Sequence, residues 1–407
     1  MCAKFILHSD LNNFYASVTA LTLPCSKDFP YAICGNKELR HGIILAKNER
    51  AKAKGIKTGQ AIWEAQALCP NLKLHSAHFT DYMHFSNIAR SIYKQYTDKI
   101  QSFGIDEAWL DISQSAKSLD QAEDIANAIR NQIRNQTGLS VSIGVSDNRI
   151  YSKFGSDYKK PDAISTITKN KNIDVLFSKS IRELLFIGSA TEKKLNTIGI
   201  YKIGHIANTS PSIFKKTLGK NGEMIYRFAQ GDDSVFTLFN FQDQTIKSIG
   251  NSTTTARDLY TVEDATVALY ALCESVAFRL KAHQFKSQTV QLYIRYNNLE
   301  SQNFRFKTNK KSDLCSDLFK SALHLLLLHW DQRTPLRSIG VSVCDLNSAN
   351  APTQLSFLPE DIQQDKLNRL ENAIQEIQNK HGKASILRGN VFKQDICGYS
   401  FAEKRLI

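Results

Sequence analysis

Asp106 and Glu107 stand side by side in SFGIDEAWLDI (residues 102–112), and a third acidic residue, Asp10, closes the first apolar run, KFILHSD. Three carboxylates at strand ends can hold two divalent cations about 3.5–4 Å apart, the arrangement that serves phosphoryl transfer. Hard oxygen ligands suit Mg²⁺, which binds one or two carboxylates together with substrate phosphates. Successive side chains of a strand point to opposite faces, so Asp106 and Glu107 can share a site only if the chain turns between them. Gly104 supplies the backbone freedom for a tight hairpin there. The competing reading is a solvated Asp-Glu turn, and the dipeptide alone does not separate the two.

Positioning three carboxylates requires a scaffold, and the hydrophobic pattern supplies one. Residues 4–10 read as a buried strand. Tyr82, Phe85, Ile88, Ala89 and Ile92 form one face of a helix over 81–96. Strands follow near 100–103 and 108–112, then a helix marked by Leu119, Ala122, Ile125, Ala126, Ile129 and Ile133, then the strand VSIGV at 141–145. The order β-α-β-β-α-β is the split βαβ, ferredoxin-like arrangement. One insertion, roughly residues 20–78, interrupts it after the first strand.

Residues 247–345 repeat the order: a polar strand (SIGNSTTTA), a helix over 262–284, a hairpin of TVQLYIRY and QNFRFKT around NNLES, a helix over 313–330, and the strand SIGVSVCDL. Between the two sandwiches, 168–233 reads as helical with two glycine turns, at Gly188 in IGSATEKKL and at Gly219 in LGKNGEMI. A glycine turn that opens a helix presents backbone N–H groups to phosphate. The expected fold class is α+β and multidomain.

The chain has 407 residues, enough for two to four domains, and an apolar content of 42% that suits globular cores. The first apolar run ends at once in Asp10, so it does not read as a signal peptide, and no stretch reads as a membrane span. Eight scattered cysteines without a CxxC argue against zinc or a disulfide framework and for a reducing cytoplasm. The net charge of +13 is spread evenly over 1–167, 168–246 and 247–350, with little in 351–407. That distribution suits a long groove along a phosphate backbone better than one basic tail. Ser252, Thr254, Arg257 and Arg305 lie on polar strands suited to sequence-independent phosphate contact. No aromatic stacking platform stands out, which favours duplex over single strands.

SDLNNFYASV (9–18), GIDEAWLDI (104–112) and VSIGVSDNRIYSKFGSDYKKPDAI (141–164), in this order and spacing, resemble the Y-family DNA polymerases of the DNA polymerase IV type. The resemblance covers roughly residues 1–345 and implies template-directed DNA synthesis across damaged bases, without a proofreading domain. It implies a palm (1–19 and 79–167), inserted fingers (20–78), a helix-hairpin-helix thumb (168–235), a second ferredoxin-like domain called the little finger (245–347), and a tail (348–407). It implies two Mg²⁺ ions, with Mn²⁺ as the alternative, held by Asp10, Asp106, Glu107 and the Leu11 carbonyl. Tyr15 is then the steric gate against ribose, backed by Phe14, and Lys160 reaches the triphosphate of the dNTP, with Lys153 nearby.

The chain departs from the family at two places. In LAKNERAKAKGIKTG (45–59), Glu49 and Lys52 stand where many relatives have Tyr and Arg. Lys52 would still neutralise phosphate, but a point charge lacks arginine's bidentate fork. The first hairpin turn reads FIGSA, without the usual Pro-Gly start. In the tail, TQLSFLPED resembles a sliding-clamp-binding peptide, with Gln354, Leu355, Phe357 and Leu358 as anchors, ahead of an amphipathic helix over 362–380. Primer–template DNA, dNTP and a sliding clamp are the expected partners of a monomer. A two-metal nucleotide cyclase and an inactive DNA-binding scaffold are the alternatives.

Overall fold

The computed structural model describes residues 4–23, 28–35, 42–234, 246–349, 359–382 and 385–386. The chain divides into two compact units, the first running to Gln244 and the second starting at Thr245.

In the first unit, β1 (Ile6–Leu11) and α1 (Phe14–Ala20) lead into an inserted subdomain. This holds β2 (Tyr31–Cys34), β3 (Ile44–Lys47), α2 (Glu49–Ala53), α3 (Ile62–Leu68) and β4 (Lys73–Ser76), with its own sheet in the order β3-β2-β4. The main sheet then continues through α4 (Phe79–Tyr93), β5 (Ile100–Ser102), β6 (Glu107–Asp111), α5 (Leu119–Thr137), β7 (Val141–Ser146), α6 (Arg149–Tyr158) and β8 (Ile164–Thr166). Its order is β5-β6-β1-β7-β8, so β1 is central, antiparallel to both neighbours. Side-chain alternation divides the strands cleanly. Leu7, Leu11, Ala108, Leu110, Val141, Ile143 and Val145 join one core with residues of α4 and α5. Ile6 and Trp109 join another core, shared with Ile150 and Phe154 of α6.

Helix α6 lies close on that second face because two glycines meet. A Cβ at Gly144 of β7 would strike the Ser152 carbonyl, and one at Gly155 would sit 2.8 Å from the Ser165 carbonyl. Any side chain at either position would push α6 away from β1.

Helices α7 (Ile173–Ser178), α8 (Ser189–Asn196), α9 (Ile203–Ala207), α10 (Pro211–Leu218) and α11 (Lys220–Ala229) complete the unit. Gly188 is the N-cap of α8, and Gly219, at φ 62°, links α10 to α11. Phe186 takes φ 65° in the first of these turns, a conformation rare for a bulky side chain, and stays exposed.

The second unit follows the repeated order: β9 (Ser248–Leu259), α12 (Val262–Ala282), β10 (Phe285–Tyr296), β11 (Ser301–Ser312), α13 (Cys315–His329) and β12 (Leu336–Ser348). The sheet order is β11-β10-β12-β9, and α12 and α13 pack on one face around Leu269, Leu272, Val276, Leu292, Leu326 and Val341. A last helix, α14 (Pro359–His381), docks on the same domain. Its buried Glu371 accepts the backbone N–H of Cys315 at 3.1 Å, at the start of α13, and pairs with Lys281 at 3.1 Å.

No helix among the described residues is long and apolar enough to cross a membrane. Among the described residues, Cys34, Cys69, Cys273, Cys315 and Cys344 form no disulfide. The 354–358 anchors expected for a clamp peptide lie outside the described residues.

Candidate active site

Asp10 sits at the end of β1, directly opposite Glu107 at the start of β6. The turn expected between β5 and β6 is there: Phe103 and Gly104 both donate backbone N–H groups to the Glu107 carbonyl, at 3.0 and 3.2 Å. Asp106 lies in that turn, and its carbonyl accepts the Leu11 N–H at 3.1 Å. The turn is what allows two adjacent acids to face one cleft.

The cleft is about 330 Å³. Asp10, Leu11, Asp106 and Glu107 line it with Phe14 and Tyr15 of α1, Lys153 and Asp157 of α6, and Lys160. Leu45, Ala46, Lys47 and Thr58 of the insertion also line it. The structure thus brings together eight residues named in the sequence reading: Asp10, Leu11, Phe14, Tyr15, Asp106, Glu107, Lys153 and Lys160.

Lys153 Nζ touches Asp10 at 3.0 Å, Glu107 at 2.7 Å and Asp157 at 3.2 Å. Lys160 Nζ touches Asp10 at 2.8 Å and Asp157 at 2.7 Å. Burial opposes the charge on both amines, yet the surrounding carboxylates push both pKa values up. The acids respond oppositely. Burial, then the charges of Asp10 and Glu107, pushes Asp106 up to about 6. Burial acts the same way on Glu107, but His8 and Lys153 override it and hold Glu107 down at about 2.

His8 was missed in the sequence, although strand alternation puts residues 8 and 10 on one face. It is fully buried, with Nδ1 2.8 Å from the Ser156 hydroxyl and Nε2 3.3 Å from Glu107 Oε2. Burial lowers its pKa in spite of Glu107 and so favours the neutral ring. Neither His8 Nε2 nor Glu107 Oε2 has a well-aligned hydrogen bond. Ligand atoms of His8, Asp10 and Glu107 all lie within 4.8 Å of one another. The raised Asp106 and the hard oxygen donors of Asp10 and Glu107 fit a divalent cation.

The two aromatics of α1 divide as the sequence suggested. Phe14 is buried in the core behind the site. Tyr15 is half-buried at the cleft wall, stacked on Tyr82 at 4.4 Å between ring centroids and edge-on to Phe79 at 5.8 Å. That packing holds its ring in one orientation.

Lys52 needs correction. Helix α2 turns it to solvent, 3.5 Å from Glu49, and it does not line the cleft. Glu49 itself accepts the Asn13 side-chain amide at 2.7 Å, tying α2 to the turn after β1. Lys47, the last residue of β3, is the lysine of this motif that reaches the cleft.

In the second unit, Ser252 and Thr254 lie on the sheet face opposite the helices. A trough of about 420 Å³ there is lined by Gly250, Ser252, Tyr293, Asn303, Gly340 and Ser342. A Cβ on Gly340 would come 2.7 Å from that of Ser252. The Arg305 guanidinium lies against the Gln291 amide, which meets the Ser342 hydroxyl at 3.0 Å. Arg257 is committed elsewhere, bonding Asp264 through both terminal nitrogens at 2.7 and 2.9 Å.

A carboxylate cluster on antiparallel neighbours of a mixed α+β sheet, flanked by lysines in a polar cleft, suits an enzyme of the phosphoryl-transfer class. Known proteins narrow this. Residues 9–157 match the model of the impB/mucB/samB family, and 246–357 match that family's C-terminal domain. The DNA polymerase IV of Acetivibrio thermocellus is 40% identical over 95% of this chain and 97% of its own length. That of Clostridium kluyveri is 32% identical, over 96% and 99%. Among solved structures, a Y-family DNA polymerase chimera superposes with a TM-score of 0.74 at 22% identity, over 84% of this chain and 99% of that one. The insertion ternary complex of Dbh DNA polymerase gives 0.59 at 21%, over 84% and 98%. The chain belongs to the impB/mucB/samB family, as a Y-family protein of the DNA polymerase IV type.

Proposed function

We propose that this chain is a translesion DNA polymerase that adds dNTPs to a primer 3′-end opposite damaged templates. One observation carries the reading: Asp10, Asp106 and Glu107 converge from adjacent strands in a polar cleft walled by Tyr15. Relatives named DNA polymerase IV that match almost the whole chain support it over a cyclase or an inactive scaffold.

Residues 1–19 and 79–167 act as palm, 20–78 as fingers, 168–235 as thumb and 245–347 as little finger. Asp10, Asp106, Glu107 and the Leu11 carbonyl would hold two Mg²⁺ ions. When bound, such ions lower the pKa of the primer hydroxyl and neutralise charge on the leaving pyrophosphate. The protein's own groups set the geometry. Asp10 and Glu107 face each other across one strand pair, so the β1–β6 register fixes their separation. Lys160 neutralises triphosphate charge from the α6 side. Tyr15, pinned by Tyr82 and Phe79, excludes a ribose hydroxyl from the sugar position.

Gly188 and Gly219 present turn backbone to DNA phosphates, and Ser252, Thr254 and Arg305 add a polar sheet face. Arg257, paired with Asp264, is left out of that set. Gln354, Leu355, Phe357 and Leu358 remain a proposed clamp anchor.

The test is primer extension with Mg²⁺ and dNTPs. The wild type should extend, and Asp10→Ala should abolish extension while primer–template affinity stays within about twofold, because the phosphate contacts lie elsewhere. Near-normal turnover by Asp10→Ala would overturn the assignment.

A further inference from the structure

Three lysines line the cleft, and two of them are bound to acids: Lys153 to Asp10, Glu107 and Asp157, and Lys160 to Asp10 and Asp157. Lys47 differs. It ends β3 on the opposite wall, and its amine donates to the Thr58 hydroxyl at 3.0 Å. No described carboxylate lies within ion-pair distance of it. Leu45 and Ala46, before it on the same strand, line the cleft as well. Thr58 is a lining residue too, so the pair faces the carboxylates across the open space.

The energetics point the same way. Partial burial lowers the pKa of Lys47, and the charge of Lys52 adds to the effect, with Glu49 only partly opposing it. A half-buried ammonium whose described hydrogen-bond partner is a neutral hydroxyl gains from any anion that enters the cleft. The other lysine of the motif near the helix start, Lys52, leans on Glu49 in solvent, and Glu49 is held by the Asn13 amide.

We propose that Lys47, oriented by Thr58, is the cation with which the fingers wall holds the polyphosphate of the incoming dNTP. The inference rests on the polymerase reading of this cleft and replaces Lys52 in that role. A lysine acts on phosphate as a point charge and imposes no planar geometry. Its removal should therefore weaken nucleotide binding more than the chemical step.

The experiment uses the full chain with Mg²⁺ and primed template, and compares Lys47→Met, Lys47→Arg, Thr58→Val and Lys52→Ala. Lys47→Met should raise KM for dNTP about tenfold, with kcat within about twofold. Dissociation constants for dNTP on a dideoxy-terminated primer complex, and inhibition constants for inorganic pyrophosphate, should rise in parallel. Lys47→Arg should recover most of the loss, Thr58→Val should cost about two- to threefold, and Lys52→Ala should cost less than Lys47→Met. Unchanged KM and pyrophosphate inhibition in Lys47→Met would overturn the proposal, as would a larger effect from Lys52→Ala. A Lys47→Met enzyme that still extends at saturating dNTP leaves the polymerase reading intact whichever way KM moves. A wild type that cannot extend a primer removes that reading and this inference together.

Discussion

Asp106 should make the catalytic unit less stable than its packing allows, and Asp106→Asn should show it. Burial and the neighbouring charges of Asp10 and Glu107 push its pKa from about 3.8 to about 6. The folded state therefore binds this proton more tightly than the unfolded state does. The associated stability is fully present below pH 4 and is lost as pH rises through 6. A displacement of about 2 units at 1.36 kcal/mol each amounts to about 3 kcal/mol at pH 7. An amide keeps the shape without the charge, so the variant should regain most of that. In a domain of this size that is a rise in Tm of about 6–12 °C. The assay is calorimetric unfolding in chelator from pH 4 to pH 7.5. The gap between variant and wild type should open with rising pH and nearly close at pH 4. Added Mg²⁺ should raise the wild-type Tm more than that of the variant, because the cation relieves the same repulsion. A variant no more stable than the wild type at pH 7, or a gap independent of pH, would refute the argument.

Tyr15→Ala should raise the ratio of rNTP to dNTP incorporation efficiency by about tenfold or more while leaving dNTP use largely intact, since it removes a packed ring and no charged group. An unmoved ratio in single-nucleotide insertion kinetics would place the gate elsewhere. Glu371→Ala should lower the stability of the second unit by about 3 kcal/mol, because it leaves the Lys281 amine with only the neutral Asn372 amide and uncaps α13. Hydrogen exchange should show that loss in α12 and α13 and leave the β5–β6 hairpin region unchanged.

Much of this was legible in the residues themselves. The alternation of KFILHSD and VSIGV, and the helical periods over 81–96 and 119–133, specified a sandwich with Asp10 at a strand end. A turn at Gly104 was expected beside the acids, and there an added Cβ would come 3.2 Å from Asp106 Oδ1. These are local properties of the chain: strand period, helix period and backbone freedom act over a few residues and can be read one segment at a time. What surrounds the carboxylates is not local. Lys153 reaches Asp10 and Glu107 because α6 lies on β1 and β7 through Gly144 and Gly155, a contact between distant segments. The sequence by itself pointed to Lys52 alone; that Lys47, five positions earlier, lines the cleft instead depended on which side of α2 and β3 faced it. Arg257 looked free for DNA until the fold set Asp264 beside it. The ionisation of Asp106 and Glu107, adjacent in sequence and opposite in shift, was decided by burial and by His8 and Lys153, which only tertiary packing brings within reach.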